Sequence, residues 1–171
     1  ITIAVASAFM YIYYNEITQH IDGLTQLLNQ RSFFSYTTNL SMAATILVFD
    51  VDNFKSINDN YGHQYGNECL QKVAEIIQRV YGQCGLCYRV GGDEFAVIMV
   101  NSASDKRCTI QKKIEEANEE LSNPTDSLPA VSLSVGVAFS DRKNPKGSIS
   151  NDADTALYYI KEHGRHNCGF Y

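Results

Sequence analysis

The chain has 171 residues, the length of one domain, and 44% of them are hydrophobic, enough to bury a core. Its net charge of −5 argues against a nucleic-acid polymer as partner, because a phosphate backbone needs a basic face; a mononucleotide, met by a few local cations and a metal, stays open. Five cysteines form no dense framework, which favours a reduced, intracellular setting over a disulfide scaffold.

The sequence opens at Ile1, so a longer parent protein is expected. The run from Ile1 to Tyr14 is almost wholly apolar, shorter than the roughly 20 residues a spanning helix needs. It has no charged start and no small-residue cleavage site, so it does not read as a signal peptide. Two readings stand: the last turns of a transmembrane helix that begins upstream, or a packed or dimerising signalling helix. Both place the remainder on the cytosolic side, as a cytoplasmic domain of a membrane-anchored protein. The expected division is an N-terminal helix over 1–21 and one domain over 22–171.

After a polar linker and the turn Asp22-Gly23-Leu24-Thr25, a helix is predicted from about Asn29 to Ser41. The continuous apolar run Ile46 to Phe49 predicts a buried strand over 45–51. A short helix follows over 53–60, broken at Tyr61-Gly62-His63. Leu70, Val73, Ile76, Ile77 and Val80 recur at helical spacing within 65–80. Strands over 86–90 and 94–100 flank Gly91-Gly92-Asp93, a hairpin signal whose glycines are expected to allow positive φ and close backbone approach. A charged amphipathic helix over 106–121, a loop with Pro124 and Pro129, and a strand over 131–139 come next. A polar loop over 141–150, a helix over 152–163 ended by Gly164, and a short strand over 168–171 complete the chain. Strands and helices in this order predict an α+β fold with a mostly antiparallel sheet backed by helices. There are no internal repeats and no Gly-x-x-x-x-Gly-Lys-Ser/Thr phosphate loop.

Two carboxylates bear on chemistry. Asp50 ends the buried strand and Asp93 tips the hairpin; if these elements are neighbours, the pair repels unless a cation intervenes. Magnesium suits it, being a hard ion that takes carboxylate and phosphate oxygens. Two such ions about 4 Å apart stabilise the attacking and leaving oxygens of a phosphoryl transfer. The plainer reading is that Asp50 and Asp52 cap the next helix and Asp93 makes a turn. The amides of Asn53 and Phe54 open a helix, a place where anions bind, with Lys55 beside them. Lys161 and Arg165, four apart, are expected on one helical face. On spacing alone the favoured reading is ordinary charges offsetting a helix dipole.

Gly91-Gly92-Asp93-Glu94-Phe95, the earlier Asp50-Val51-Asp52, the stretch Phe54-Lys-Ser-Ile-Asn-Asp-Asn-Tyr-Gly-His and the closing Asp154-Thr-Ala-Leu-Tyr-Tyr-Ile-Lys-Glu-His-Gly-Arg occur in one order. Together they resemble the GGDEF family of nucleotide cyclases, over about residues 22–171. The resemblance implies a fold like class III cyclases and polymerase palms, with a ferredoxin-like core. It implies condensation of two GTP into cyclic di-GMP and two pyrophosphates by a homodimer, with two Mg2+ per active site and Mn2+ as a substitute. By the family's motifs, Asp50, the Val51 carbonyl and Asp93 hold metal. Asp93 and Glu94 are the signature acids, Asn53, Phe54, Lys55, Lys161 and Arg165 take the phosphates, and Asn58 reads guanine. Asp52 falls to a supporting or capping role, and the upstream sensor or membrane segment is expected to lie outside this sequence.

Two departures stand out. Asn67 replaces the family's aspartate that accepts from the guanine edge. An amide offers one acceptor and one donor group. One guanine donor then loses its partner, at about 1–3 kcal/mol if buried. This motivates two alternatives to a strict GTP cyclase: a purine-promiscuous cyclase making adenine-containing dinucleotides, and a non-enzymatic GTP-binding regulatory module. Gly82-Gln83-Cys84-Gly85 replaces the family's inhibitory Arg-x-x-Asp, so no feedback through that stretch is expected. Cys84 and Cys87 read as incidental, since no second ligand pair for zinc appears. His63 is expected to be a structural hydrogen-bonder beside the pocket.

Overall fold

The computed structural model describes residues 5–11, 18–123 and 129–171. The apolar opening run and the Pro124 loop therefore lie partly outside the described residues. Residues 5–11 are helical and exposed, and no helix among the described residues is long and apolar enough to cross a membrane.

The elements in chain order are β1 (Leu28–Asn29), α1 (Gln30–Thr38), β2 (Ala44–Val51), α2 (Phe54–Tyr61), α3 (His63–Tyr81), β3 (Leu86–Arg89) and β4 (Glu94–Val100). A 3-10 turn (Ser104–Lys106) leads into α4 (Arg107–Ser122), followed by β5 (Leu133–Phe139), α5 (Ile149–Glu162) and β6 (Cys168–Phe170). The six strands form one sheet in the order β1-β3-β4-β2-β5-β6. The three inner pairings are antiparallel and the two edge pairings, β1 with β3 and β5 with β6, are parallel. This is the mostly antiparallel α+β sheet the sequence predicts.

β2 is central, and all eight of its residues are buried. Its side chains alternate between faces. Leu47, Phe49 and Val51 join Val73, Ile77, Ile110 and Ile114 in the core under α3 and α4. Ile46 and Val48 join Phe33 of α1 and Ala153 and Leu157 of α5 on the other face. Helices cover both faces, which is why the strand reads as an unbroken apolar run. Asp50 follows Ile46 and Val48 in phase, so it belongs to the α5 face.

Helix α5 lies unusually close to the sheet. A Cβ on Gly136 would stand 2.1 Å from the Ala153 carbonyl oxygen and 2.5 Å from the Leu157 nitrogen. Gly169, the register partner of Gly136 on β6, would put a Cβ 2.8 Å from the Ala156 carbonyl oxygen. The two glycines form a trough for the helix backbone, and that trough sets the height at which Lys161 leaves α5.

Several boundaries differ from the sequence reading. α5 begins at Ile149 rather than 152, because Ser148 caps it, its side chain accepting from the Asn151 amide. α3 begins directly after Gly62, whose φ of 87° ends α2 and starts the next helix without a spacer. α1 stops at Thr38. β1 is a two-residue strand that no periodicity announces. Gly91 and Gly92 do not adopt positive φ; only Gly62 and Gly164 do so among the described glycines. Gly91 serves close approach instead, since a Cβ there would meet Glu94 Oε2 at 2.5 Å.

The Asp22-Gly-Leu-Thr25 turn is a joint. Asp22 Oδ1 accepts from the Thr25 amide at 2.9 Å, from the Thr25 hydroxyl at 2.6 Å and from Arg89 Nη1 at 3.1 Å. Burial opposes the Asp22 charge, but the Thr25 and Arg89 donors outweigh it and hold the carboxyl below its ordinary value.

Two outcomes are expected. Gly136→Ala forces α5 backbone away from β5 and should destabilise the fold by about 3 kcal/mol, read as a lowered urea midpoint with an unchanged slope. Asp22 has a depressed folded pKa, so its stabilisation is complete above the unfolded value near about 3.9 and is lost as pH falls through the lower folded value. Asp22→Asn should therefore be less stable than the parent at pH 7, with the gap closing below about pH 4. A gap that persists unchanged into acid would show that the charge is not the cause.

Candidate active site

The end of β2 and the β3–β4 hairpin meet through backbone. Asp50 pairs in register with Glu94, and the Val51 amide donates to the Asp93 carbonyl oxygen at 3.1 Å. The hairpin tip is closed by Val90 and Gly91 amides, both donating to the Glu94 carbonyl at 2.9 and 3.2 Å. Arg89 supports it from the side, with Nη2 donating to the Gly92 carbonyl at 2.8 Å while Nη1 holds Asp22. Main-chain bonds thus bring the backbone at residues 50, 93 and 94 together.

Asp50 is 8% exposed. Lys161 Nζ reaches its Oδ2 at 2.6 Å from α5. Burial raises the Asp50 pKa; Lys161 pulls it down, and Asp93 and Glu94 push it further up, with a net rise. Burial and the two neighbouring acids thus outweigh the lysine at this carboxyl group. Glu94 and Lys161 face a cleft of about 420 Å³ with Gln30, Phe34, Asp154 and Tyr158 on its walls. Asp93 does not line that cleft. Among the described residues no three acidic, histidine or cysteine side chains close into a metal cage. An ion here would take Asp50, a hairpin acid and carbonyl oxygen, with the rest from phosphate and water, the usual arrangement for a magnesium site. The donors are all hard oxygens, and an ammonium already rests on one of them, so the residues present fit a cation.

Of the residues expected to take phosphate, Asn53, Phe54, Lys55 and Arg165 lie at the start of α2. Asn53 precedes the helix with φ 56° and makes no side-chain cap; its Oδ1 accepts from Arg165 Nη1 at 2.8 Å. Phe54 is half-buried against the core, and Lys55 is exposed with no ion pair to the described residues. The expected shared helical face of Lys161 and Arg165 does not exist. α5 ends at Glu162, Gly164 turns at φ 119°, and Arg165 lies beyond it at φ 61°. Lys161 points to Asp50 and Arg165 to Asn53, so the two cations flank the β2–α2 turn from different directions.

At the other end of α2, Asn58 is half-buried, with its Oδ1 2.0 Å from where a Gly66 Cβ would stand. A side chain at Gly66 would have to displace the Asn58 amide. Asn67, the next residue, is exposed on the first turn of α3. His63 is exposed and its side chain makes no hydrogen bond with the described residues, which corrects its expected role. Asp52 is not a cap: its carboxylate accepts from Ser132 and Ser134 hydroxyls and the His166 amide. Arg89 and the Ser132/Ser134 pair were not singled out from sequence. A charged residue at a strand end before Gly-Gly and two serines in phase on a strand were the available signals.

The family profile "Diguanylate cyclase, GGDEF domain" matches residues 19–167. The chain is 33% identical over 156 residues to the probable diguanylate cyclase DgcT of Escherichia coli, covering 85% of this chain and 34% of that protein. It is 30% identical over 166 residues to the E. coli diguanylate cyclase DosC, covering 89% and 36%. The chain thus spans about a third of the length of these relatives. Among solved structures it is similar to the coiled coil and GGDEF domain of DgcB from Caulobacter crescentus in complex with c-di-GMP, with TM-score 0.86 and 27% identity. That match covers 99% of this chain and 95% of that one. It is similar also to the active GGEEF domain of a diguanylate cyclase from Vibrio cholerae, with TM-score 0.70 and 29% identity over 85% and 98% of the two chains. The family profile thus covers nearly the whole chain that carries these motifs, and the chain belongs to the GGDEF family of diguanylate cyclase domains.

Proposed function

We propose that this domain condenses two GTP molecules into cyclic di-GMP and two pyrophosphates, as a homodimer and with Mg2+. The carrying observation is the Asp50–Glu94 register pair with Lys161 on Asp50, where Glu94 and Lys161 also line a cleft of about 420 Å³. Asp50, the Val51 carbonyl and Asp93 would hold the metal, with Mn2+ as a substitute. When bound, the metal lowers the pKa of the 3′-hydroxyl and offsets charge on the phosphate oxygens.

This chain's residues do the rest. The N-terminus of α2 and Lys55, Lys161 and Arg165 bind the triphosphate. Asn58 and Asn67 meet the base. The 3′-oxygen of one nucleotide forms a bond to the α-phosphorus of the other, and the bond to the β-phosphate oxygen breaks to release pyrophosphate. The hydroxyl proton passes to a signature carboxylate, Asp93 or Glu94, the latter being the one that faces the cleft. Each domain orients one nucleotide, so the reaction requires two domains face to face. Asn67, exposed and uncharged, favours relaxed base choice as a second reading.

Mass spectrometry of products from the dimerised domain with Mg2+ and GTP, ATP or both tests this. Cyclic di-GMP from GTP, lost in Asp93→Ala, is expected. Adenine-containing product would instead favour the relaxed reading, and retained GTP binding with no product from a verified dimer would leave a binding module. Asn67→Asp should raise the preference for GTP over ATP, by less than the roughly tenfold to hundredfold that full burial would give; an unchanged preference would remove Asn67 as a selectivity determinant. Lys161→Met should have opposite effects on two ligands. Mn2+ binding without nucleotide should tighten, because the ion no longer competes with an ammonium, while KM for GTP should rise. Parallel weakening of both would show that Lys161 does not occupy the cation's place.

A further inference from the structure

Asp52 is 6% exposed, and among the described residues no lysine or arginine pairs with it. A buried carboxylate without a counter-ion is costly unless its lone pairs are met. Here they are met by donors from two distant parts of the chain. Oδ1 accepts from the Ser134 hydroxyl at 2.6 Å, and Oδ2 accepts from the Ser132 hydroxyl at 2.6 Å and the His166 amide at 3.1 Å. The Asp52 amide in turn donates to the Ser132 carbonyl at 2.9 Å. Both oxygens are therefore committed within the protein.

The His166 bond matters because of what precedes it. Gly164, Arg165 and His166 have φ of 119°, 61° and 47°, three consecutive left-handed residues of which two carry side chains. Such residues are strained and persist only where surrounding bonds hold them. The holding bonds are few. The Arg165 amide donates to the Ile160 carbonyl at 3.1 Å, the Val135 amide donates to the Asn167 carbonyl at 3.0 Å, and the His166 amide is fixed by Asp52. The result is that the Arg165 guanidinium lies against Asn53, at the start of α2.

We infer that Asp52 is a positioning residue for Arg165: its carboxylate locks the left-handed turn after α5 so that the guanidinium is held ready at the phosphate corner. Asp52 is neither a helix cap nor a metal ligand. The inference rests on the proposed nucleotide site, and its test separates the two.

The experiment measures GTP affinity by calorimetry and amide hydrogen exchange at 164–167 in the parent domain, Asp52→Ala, Asp52→Asn, Arg165→Ala and the double variant Asp52→Ala/Arg165→Ala. Asp52→Ala is expected to speed exchange at His166 and to weaken GTP about tenfold, the scale of a lost charge-assisted hydrogen bond. Arg165→Ala should weaken GTP comparably, and the double variant should bind no more weakly than Arg165→Ala. Asp52→Asn keeps the shape and part of the acceptor capacity, so it should recover part of the affinity; it also serves if Asp52→Ala does not fold. Additive losses in the double variant, or unchanged exchange at His166, would overturn the inference. If the parent binds no GTP, the nucleotide reading fails, and the exchange result alone then decides whether Asp52 locks the turn.

Discussion

A buried carboxylate at the end of a fully buried strand is the constraint on which the rest is arranged. Leaving Asp50 charged in that position without a cation would cost several kcal/mol. Lys161 meets it, but only because α5 runs close enough for the ammonium to reach. That closeness depends on Gly136 and Gly169, adjacent on neighbouring strands and both without a side chain to hold the helix off. The chemistry at the mouth of the cleft is thus tied to a packing contact on the sheet beneath it. Burial of Asp50 and the nearby Asp93 and Glu94 charges together outweigh the lysine, so the carboxyl group stays above its ordinary pKa.

The acids of the signature are positioned by main chain. Asp93 contributes its carbonyl oxygen to the Val51 amide, and Glu94 lies opposite Asp50 through strand register. Removing a side chain at 93 leaves that latch intact, so a change in activity there reports on the carboxyl group and not on a collapsed hairpin. Arg89 extends the same frame outward, one end on the Gly92 carbonyl and the other on Asp22. The turn that begins the domain and the signature hairpin therefore share one side chain, and a shift at either end loads the same guanidinium.

Much of this frame was legible in the sequence because it is local. The run Ile46–Phe49 marks a strand covered on both faces, the spacing from Leu70 to Val80 marks α3, and the Gly91-Gly92 hairpin follows from its flanking strands. The acids, Asn58 and the cations at 161 and 165 were found by motif. What was not legible depends on pairings between distant residues. Arg165 meets Asn53 across 112 positions and His166 meets Asp52 across 114, so spacing on a supposed helix gave the wrong geometry for Arg165. β1 is two residues long and is defined by its partner β3 and not by any pattern of its own. The α5 start was missed because the cap lies in a serine-rich stretch where Ser148 and Ser150 are equally good candidates.

The left-handed residues are not scattered. Asn53 stands at one side of the phosphate corner and Gly164, Arg165 and His166 at the other, leaving only Gln26, Gly62 and Asn101 elsewhere among the described residues. Local preference argues against a non-glycine residue in each of these conformations, and natural proteins tend to break local rules where a site demands it. Here the demand is geometric. A regular end to α5 would carry residue 165 further along the helix axis, away from α2. Turning back at Gly164 brings the guanidinium to Asn53 instead, and the Asp52 carboxylate offsets the strain of keeping it there.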